Sequence, residues 1–144
     1  MTLREYVNTM AFGLQCPKLV AHPKYEEMKM RYMRNPFVLP IVYCKDGFNI
    51  SIQCNYGNYC ASENGTRTFG FDWEEVEWGY PSSEIDPKKY NAECSDTTST
   101  TESVGGYVPI DLLDELLNEH GGIDLQMTLR KAVGLDWYVL TWVP

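Results

Sequence analysis

The sequence has no run of about 18–20 apolar residues, the length that a membrane-spanning helix needs. Its N-terminal stretch, MTLREYVNTMAFGLQC, carries charged residues where a secretion signal would be apolar. Both absences argue against a membrane protein or a secreted protein. We therefore expect a soluble chain that stays in the cytoplasm.

The chain also lacks the cysteine spacings of a structural metal site. It has five cysteines, an odd number, and no Cys-x-x-Cys pair. The gaps between Cys44, Cys54, Cys60 and Cys94 are ten, six and thirty-four residues, and they match none of the paired spacings that bind structural zinc. In a chain without a secretion signal, such cysteines are usually reduced and buried. We expect no metal and no cofactor.

Catalytic signatures are absent as well. The sequence contains no glycine-rich phosphate loop, no serine nucleophile elbow and no helical metalloprotease motif. Two weaker arrangements remain. Cys60 could act as a nucleophile with His22 or His120 as its base, and Glu75 and Glu77 lie near tryptophans, a combination that carbohydrate hydrolases use. Cysteines also fill strand cores, and outward carboxylates are usually just solvated. We expect no catalytic residue, and a binding protein rather than an enzyme.

Size and charge indicate one domain with an uneven surface. The 144 residues are 44% hydrophobic, enough for a single core at the usual domain size. Residues 1–45 contain seven Lys/Arg and three Glu, a net charge of +4, whereas residues 46–144 contain five Lys/Arg and seventeen Asp/Glu, a net charge of −12. The acidic part would repel phosphate. We expect a basic partner and no direct binding of nucleic acid or membrane.

Helical patterns occur toward both ends of the chain. Thr2 and Glu5 have the spacing of a capping box ahead of an apolar stripe, which predicts an N-terminal helix. A second helix is predicted over residues 22–34, with Pro23 in its first turn. Toward the C-terminus, Pro109 followed by a leucine face and then by two glycines predicts a helix of about eleven residues.

Between these helices the apolar residues alternate with a period of two, as in β-strands. Residues 37–44 and 48–54 flank an Asp-Gly turn and predict a β-hairpin. Its first strand should lie at a sheet edge or carry a bulge, because Pro40 cannot donate a ladder hydrogen bond. Further strands are predicted over residues 59–62, 66–71, 75–80 and 137–143. The predicted fold class is therefore α+β, with an antiparallel sheet of four to six strands, two N-terminal helices and one helix near the C-terminus.

Residues 82–104 have the least regular pattern. Within them, the run SDTTSTTES contains no apolar residue. We predict a mobile loop here, inside a single domain that spans residues 1–144.

Carboxylates are the most extensive functional feature. Six acidic residues and no basic one lie between Asp72 and Asp86, and the predicted C-terminal helix adds four. Such an array can imitate the phosphates of a nucleic acid and occupy a basic groove. The candidate partner-binding residues are Asp72, Glu74, Glu75, Glu77, Trp78, Asp111, Asp114 and Glu115. Solubility is the alternative explanation for the same charge.

A second hypothesis is a small-molecule or nucleotide site beneath the predicted loop, in a binding module or an enzyme. Its candidate residues are Tyr59, Cys60, Tyr107 and His120. A third hypothesis is a structural subunit, and the opposite charges of the two halves leave a homo-oligomer open.

A set of short motifs lies in the central part of the chain, residues 33–123: Met33-Arg34-Asn35-Pro36, Asp46-Gly47-Phe48, Ser51, Gln53, Tyr59-Cys60, Val76-Glu77, Gly79, Pro81-Ser82, Gly106-Tyr107-Val108-Pro109 and His120-Gly121-Gly122. On these residues the chain resembles a group of small, uncharacterised proteins from phages and prophages of gut Firmicutes. The group has no assigned activity, so the resemblance implies a genomic setting and no catalytic residue. In that setting small acidic proteins often bind and disable a host defence component, as anti-CRISPR proteins do. The resemblance therefore implies an accessory protein that acts on a basic, nucleic-acid-binding host protein in the bacterial cytosol.

Overall fold

The computed structural model describes residues 1–7, 39–54, 60–62, 73–93 and 98–133. These residues form an α+β fold with helices packed on an antiparallel sheet. The helices are α1, described over residues 3–7, α2 (Ile110–Glu119) and α3 (Leu125–Val133), and the strands are β1 (Val42–Tyr43), β2 (Asn49–Gln53), β3 (Ala61–Ser62), β4 (Trp73–Gly79) and β5 (Val104–Pro109). The predicted fold class is confirmed, while the positions of helices and strands differ in detail.

The strand β4 is the centre of the sheet. β2 pairs with β4 at Gln53 and Glu77, and β3 pairs with it further along, at Ala61 and Glu75. Because β2 and β3 occupy successive positions, they lie end to end along one edge of β4, and β5 pairs along the opposite edge. β1 pairs with β2 and lies at the end of the order of the described strands. Within this part of the chain β1 is an edge strand, one of the two arrangements expected from Pro40.

The hairpin between β1 and β2 forms as its sequence predicts. The Asp46 carboxylate accepts a hydrogen bond from the Phe48 amide at 2.8 Å, and Gly47 has a φ of +96°, which glycine adopts without strain. In β2, Ile50 and Ile52 are fully buried, while the alternating residues Asn49, Ser51 and Gln53 are half-buried. The predicted hairpin and its alternation are confirmed.

The capping box predicted at the start of α1 and the helix predicted between Pro109 and Gly121 are also confirmed. The Thr2 amide donates to Glu5 Oε2 at 2.9 Å and the Glu5 amide donates to Thr2 Oγ1 at 3.1 Å, the reciprocal bonds of a capping box. α2 begins directly after Pro109 and ends before Gly121, which has a φ of +88°. The α3 helix is additional to the one helix predicted near the C-terminus.

The strand β5 was not predicted. Its sequence, Val-Gly-Gly-Tyr-Val-Pro, has two glycines and a proline, which weaken any strand pattern. In the structure β5 pairs with β4 through a bulge opposite Glu77, and Tyr107 in this bulge has a φ of +53°. Tyr80, the last residue of the predicted strand 75–80, lies beyond the end of β4, has a φ of +50° and is 63% exposed.

The segment predicted as a mobile loop, residues 82–104, is described except for residues 94–97, and its described parts contain buried anchors. Ile85 and Tyr90 are buried in the core, and the carbonyl of Tyr90 accepts a hydrogen bond from the Trp78 indole at 2.7 Å. A 3₁₀ turn, Thr100–Glu102, precedes β5. These anchors are separated by polar residues, so no period revealed them in the sequence.

The Glu84 carboxylate joins the two ends of this segment. It accepts hydrogen bonds from the Ser99 hydroxyl and from the Thr100 amide and hydroxyl, at 3.0 and 2.5 Å for Thr100. The bond from Ser99 and then those from Thr100 lower the pKa of Glu84, because they stabilise the ionised form.

We predict that Glu84→Gln lowers the melting temperature at neutral pH and that the difference from wild type disappears in acid. A carboxyl group with a lowered folded-state pKa stabilises the fold above its unfolded-state pKa of about 4.3, and this contribution is lost as the pH falls through the folded-state pKa. Thermal unfolding of both proteins across pH 2–7 measures the difference. Glu102→Gln is the matched control, because Glu102 is exposed and lies in the 3₁₀ turn whose first residue, Thr100, bonds to Glu84. A difference that is constant with pH would contradict the prediction.

The predicted helix over 22–34 and the predicted strands over 66–71 and 137–143 lie outside the described residues. Within the described part of the chain, no helix is long and apolar enough to cross a membrane.

Candidate functional site

The acidic residues of β4 are divided between the two faces of the sheet. Val76 and Trp78 are fully buried and define its inner face. Glu75 and Glu77 alternate with them and therefore project from the outer face, where both are half-buried. Trp78 was a candidate partner-binding residue, but its side chain is 0% exposed. Burial in the core removes it from any exposed surface.

The helix α2 covers the inner face. Its residues Leu113 and Leu117 are 0% exposed and belong to the same core cluster as Val76 and Trp78. The carboxylates of α2 and those of Glu75 and Glu77 therefore lie on opposite sides of the sheet. The single acidic face expected from the sequence is instead two separate groups.

Arg4 of α1 neutralises part of the negative charge on the face of the sheet that α2 covers. Its guanidinium donates to both carboxylate oxygens of Glu74, at 3.0 and 3.3 Å, and to Asp111 Oδ1 at 3.4 Å. The hydrogen bonds to Glu74 are the main reason that the pKa of Arg4 is raised, against a smaller effect of partial burial. The two-pronged geometry is the stronger form of an arginine–carboxylate pair. Glu74 is therefore engaged within the protein, whereas the Asp111 side chain remains 83% exposed.

Asp114 is also engaged internally. Its Oδ1 accepts a hydrogen bond from the Leu3 amide at 2.8 Å, at the first turn of α1. The amides of a first helical turn have no partner within the helix, and a carboxylate there also interacts favourably with the helix dipole. Asp114 thus caps α1 and joins it to α2, so its first role is structural.

The remaining acidic residues of α2 form a stripe on its solvent face. Asp111, Glu115 and Glu119 are exposed and follow each other at intervals of four residues, which places them on one side of a helix. The helix contains no lysine or arginine. We call these three residues the α2 acidic stripe. Asp72, the last of the acidic candidates, lies outside the described residues.

The candidate small-molecule residues are not brought together where they are described. Cys60 is 0% exposed and part of the core, and Tyr107 lies on β5, at the edge of β4 opposite to β2. His120 follows α2 and contacts the turn between β1 and β2. The sheet therefore separates Tyr107 from His120. Tyr59 lies outside the described residues.

His120 instead fastens the hairpin turn to the end of α2. Its Nδ1 lies 2.7 Å from Asp46 Oδ2, and its ring stacks on Phe48 at 3.9 Å between centroids. The Phe48 amide, and then His120, lower the pKa of Asp46. The sequence identified His120 as a candidate but not Asp46, because 74 residues separate the two.

Cys44 and Cys54 lack the lowered pKa of a catalytic thiol. Burial, and secondarily the charge of Asp46, raises the pKa of Cys44 to about 12. Burial also raises the pKa of Cys54, with a smaller effect from Cys60. Catalytic cysteines have lowered pKa values because the thiolate is the reactive form. Among the described residues, no three His, Cys, Asp or Glu side chains are grouped as metal ligands.

Comparison of the chain with protein-family models, with characterised proteins and with solved structures finds no match.

Proposed function

We propose that this protein acts by binding a basic partner protein through the α2 acidic stripe. The observation that carries the proposal is that Asp111, Glu115 and Glu119 are exposed at four-residue intervals on a helix without a cation. Carboxylates spaced along a rigid helix can occupy a groove that otherwise binds phosphates.

Asp111, in the first turn and bonded to Arg4, is favourable for the helix, but the repetition of the charge at Glu115 and Glu119 is not. Like charges four residues apart each destabilise a helix by about 0.2–0.5 kcal/mol, and the stripe contains two such pairs. Glu119 in addition lies in the last turn, where the helix dipole disfavours an anion. Solubility requires net charge but does not require carboxylates at these positions. Recognition of a partner accounts for their placement better than solubility does.

The resemblance of residues 33–123 to phage and prophage proteins supports a more specific form of the proposal. In this form the protein is a non-enzymatic phage accessory factor, and the partner is a nucleic-acid-binding protein of the bacterial host, such as a defence component. The partner's basic groove would contact the stripe, so the complex should weaken as salt rises.

The test is affinity capture from host lysate with the full chain immobilised, washed at increasing salt, followed by affinity measurement with the identified protein. We expect Glu115→Lys with Glu119→Lys to weaken this binding at least about tenfold, equivalent to about 1.4 kcal/mol. The same substitutions turn the like-charge pair of positions 111 and 115 into an opposite-charge pair and place a lysine in the last turn, where the helix dipole favours a cation, although positions 115 and 119 remain a like-charge pair. The variant should therefore melt no lower than wild type. Lost binding would then reflect the surface and not the fold.

The matched control is Glu93→Lys with Glu102→Lys, because both residues are exposed and precede β5, whereas α2 follows it. This control makes the same change in net charge and should bind as wild type does. Glu75→Lys probes the outer face of the sheet. A stripe variant that binds normally, or a control that weakens binding as much, would show that the stripe is not the contact surface.

A further inference from the structure

Two cysteines flank the point where the chain leaves the sheet and returns to it. Gln53 of β2 is paired with Glu77, and Ala61 of β3 is paired with Glu75. On β4 these two positions are separated only by Val76, whereas the chain inserts residues 54–60 between them. Continuing each register by one residue brings Cys54 and Cys60 to the same level of the sheet, beside Val76.

Both cysteines belong to the same part of the core. Ile52, paired with Trp78, is buried on the inner face, and the alternation of the strand places Cys54 on that face as well. Cys54 packs against the core cluster, and Cys60 is a fully buried member of it. The register and the burial therefore place the two thiols next to each other on one face.

The raised pKa of Cys54 agrees with this proximity. After burial, the second cause that raises its pKa is the charge of Cys60. An electrostatic effect of one thiol on the other requires that the two sulfur atoms be near each other. Cys44 shows no such pairing, since its raised pKa has burial and Asp46 as its causes.

We propose that Cys54 and Cys60 are a site of reversible oxidation, at which a peroxide converts the two thiols into an intramolecular disulfide. The inference is independent of the proposed binding function. The half-buried Cys54 sulfur attacks one peroxide oxygen, the O–O bond breaks, and one water leaves as Cys54 becomes a sulfenic acid. Cys60 then attacks the Cys54 sulfur, the S–S bond forms, the S–O bond breaks and a second water leaves. Two thiols lose two protons and two electrons, and hydrogen peroxide becomes two waters.

The disulfide would join the end of β2 covalently to the start of β3 along the edge of β4. A thiol held near its partner in the folded chain forms a disulfide more favourably than the same pair in the unfolded chain, and by linkage the disulfide stabilises the fold. The raised pKa of Cys54 means that oxidation is slow at neutral pH and becomes faster as the pH rises, because the thiolate is the reacting form.

The experiment measures the equilibrium constant of this disulfide in the full chain. Protein is equilibrated in mixtures of reduced and oxidised glutathione, once under native conditions and once in concentrated urea, then alkylated, digested and analysed by mass spectrometry. We expect a peptide that links Cys54 to Cys60, with an equilibrium constant about 30-fold larger in the folded chain, the lower end of typical disulfide stabilisation. Peroxide treatment should give the same linked peptide and raise the melting temperature by about 5 °C.

Cys44 is the internal control. It should stay reduced during oxidation of the native protein, so that it is alkylated once the oxidant has been removed and the chain has been unfolded. Cys44→Ser should leave the linkage unchanged, whereas Cys54→Ser should abolish it. An equilibrium constant that is equal or smaller in the folded chain, or a disulfide that joins either cysteine to another one, would overturn the proposal. The wild-type measurement decides the question even if a serine variant folds poorly.

Discussion

Replacement of Gly105 by alanine should destabilise the protein by roughly 3 kcal/mol or more. A Cβ atom at this position would lie 2.4 Å from the Trp78 indole, much closer than two carbon atoms can approach. The ring cannot move aside easily, because it is fully buried and its Nε1 donates a 2.7 Å hydrogen bond to the Tyr90 carbonyl. Either the pairing of β5 with β4 or this buried hydrogen bond must be lost.

The matched control is Gly79→Ala, on the neighbouring strand. A Cβ atom there would lie 3.3 Å from the Val104 Cγ1 atom, a contact that a small shift relieves, so we expect a loss below about 1 kcal/mol. Urea unfolding followed by tryptophan fluorescence and circular dichroism measures both free energies of unfolding. Equal losses for the two variants would mean that Gly105 does not lie against Trp78 as described.

Replacement of Leu113 by alanine should cost about 3 kcal/mol, the second large effect. Leu113 is 0% exposed and lies between α2 and the sheet, so its removal leaves a cavity beneath the helix. Alanine has the highest helix propensity. The loss therefore measures packing between α2 and the sheet and not the stability of the helix alone.

Leu112→Ala makes the same chemical change one residue earlier and serves as the control. Leu112 is only partly buried against the core, so we expect about 1 kcal/mol, in proportion to the apolar area it buries. Thermal unfolding should show the same order, with melting temperatures lowered by about 10 °C for Leu113→Ala and a few degrees for Leu112→Ala. The reverse order would place the other leucine toward the sheet and contradict the orientation of α2.

The parts of the fold that the sequence predicted are those stabilised by neighbours in the chain. The capping box of Thr2 and Glu5, the Asp46-Gly47 turn and the start of α2 after Pro109 each depend on residues at most a few positions apart. Their hydrogen bonds and φ angles follow from local chemistry. The periodic burial of β2 and α2 likewise follows from spacings visible along the chain.

The strand β5 shows why other parts could not be predicted. Its glycines weaken a strand pattern, yet Gly105 is required there because the Trp78 ring occupies the space where a side chain would be. This requirement arises from a residue 27 positions earlier that is adjacent only in the folded sheet. The packing of residues 81–103 is similar, since the contacts of Ile85, Tyr90 and Glu84 are made with residues distant in sequence.

The candidate site was predicted in composition but not in arrangement. The helical period predicts which acidic residues of α2 are exposed. Because Glu119 follows Glu115 by four residues, the same period places it in the α2 acidic stripe. The internal roles of Glu74 and Asp114 depend on Arg4 and Leu3, which are 70 and 111 residues away. No local sequence pattern predicts which carboxylate will bond to the N-terminal helix.

By itself, the sequence determined that this chain is acidic after residue 45 and forms an α+β fold with a hairpin and a leucine-faced helix, because charge and period are properties of the chain. Only the tertiary structure decided which acidic residues remain exposed. The alternation of β4 sends Glu75 and Glu77 to one side of the sheet, while the packing of α2 puts the stripe on the other side. Ion pairs and hydrogen bonds between distant residues then neutralise or engage Glu74 and Asp114. Such pairing depends on distances in space, which only the packing of the helices on the sheet sets.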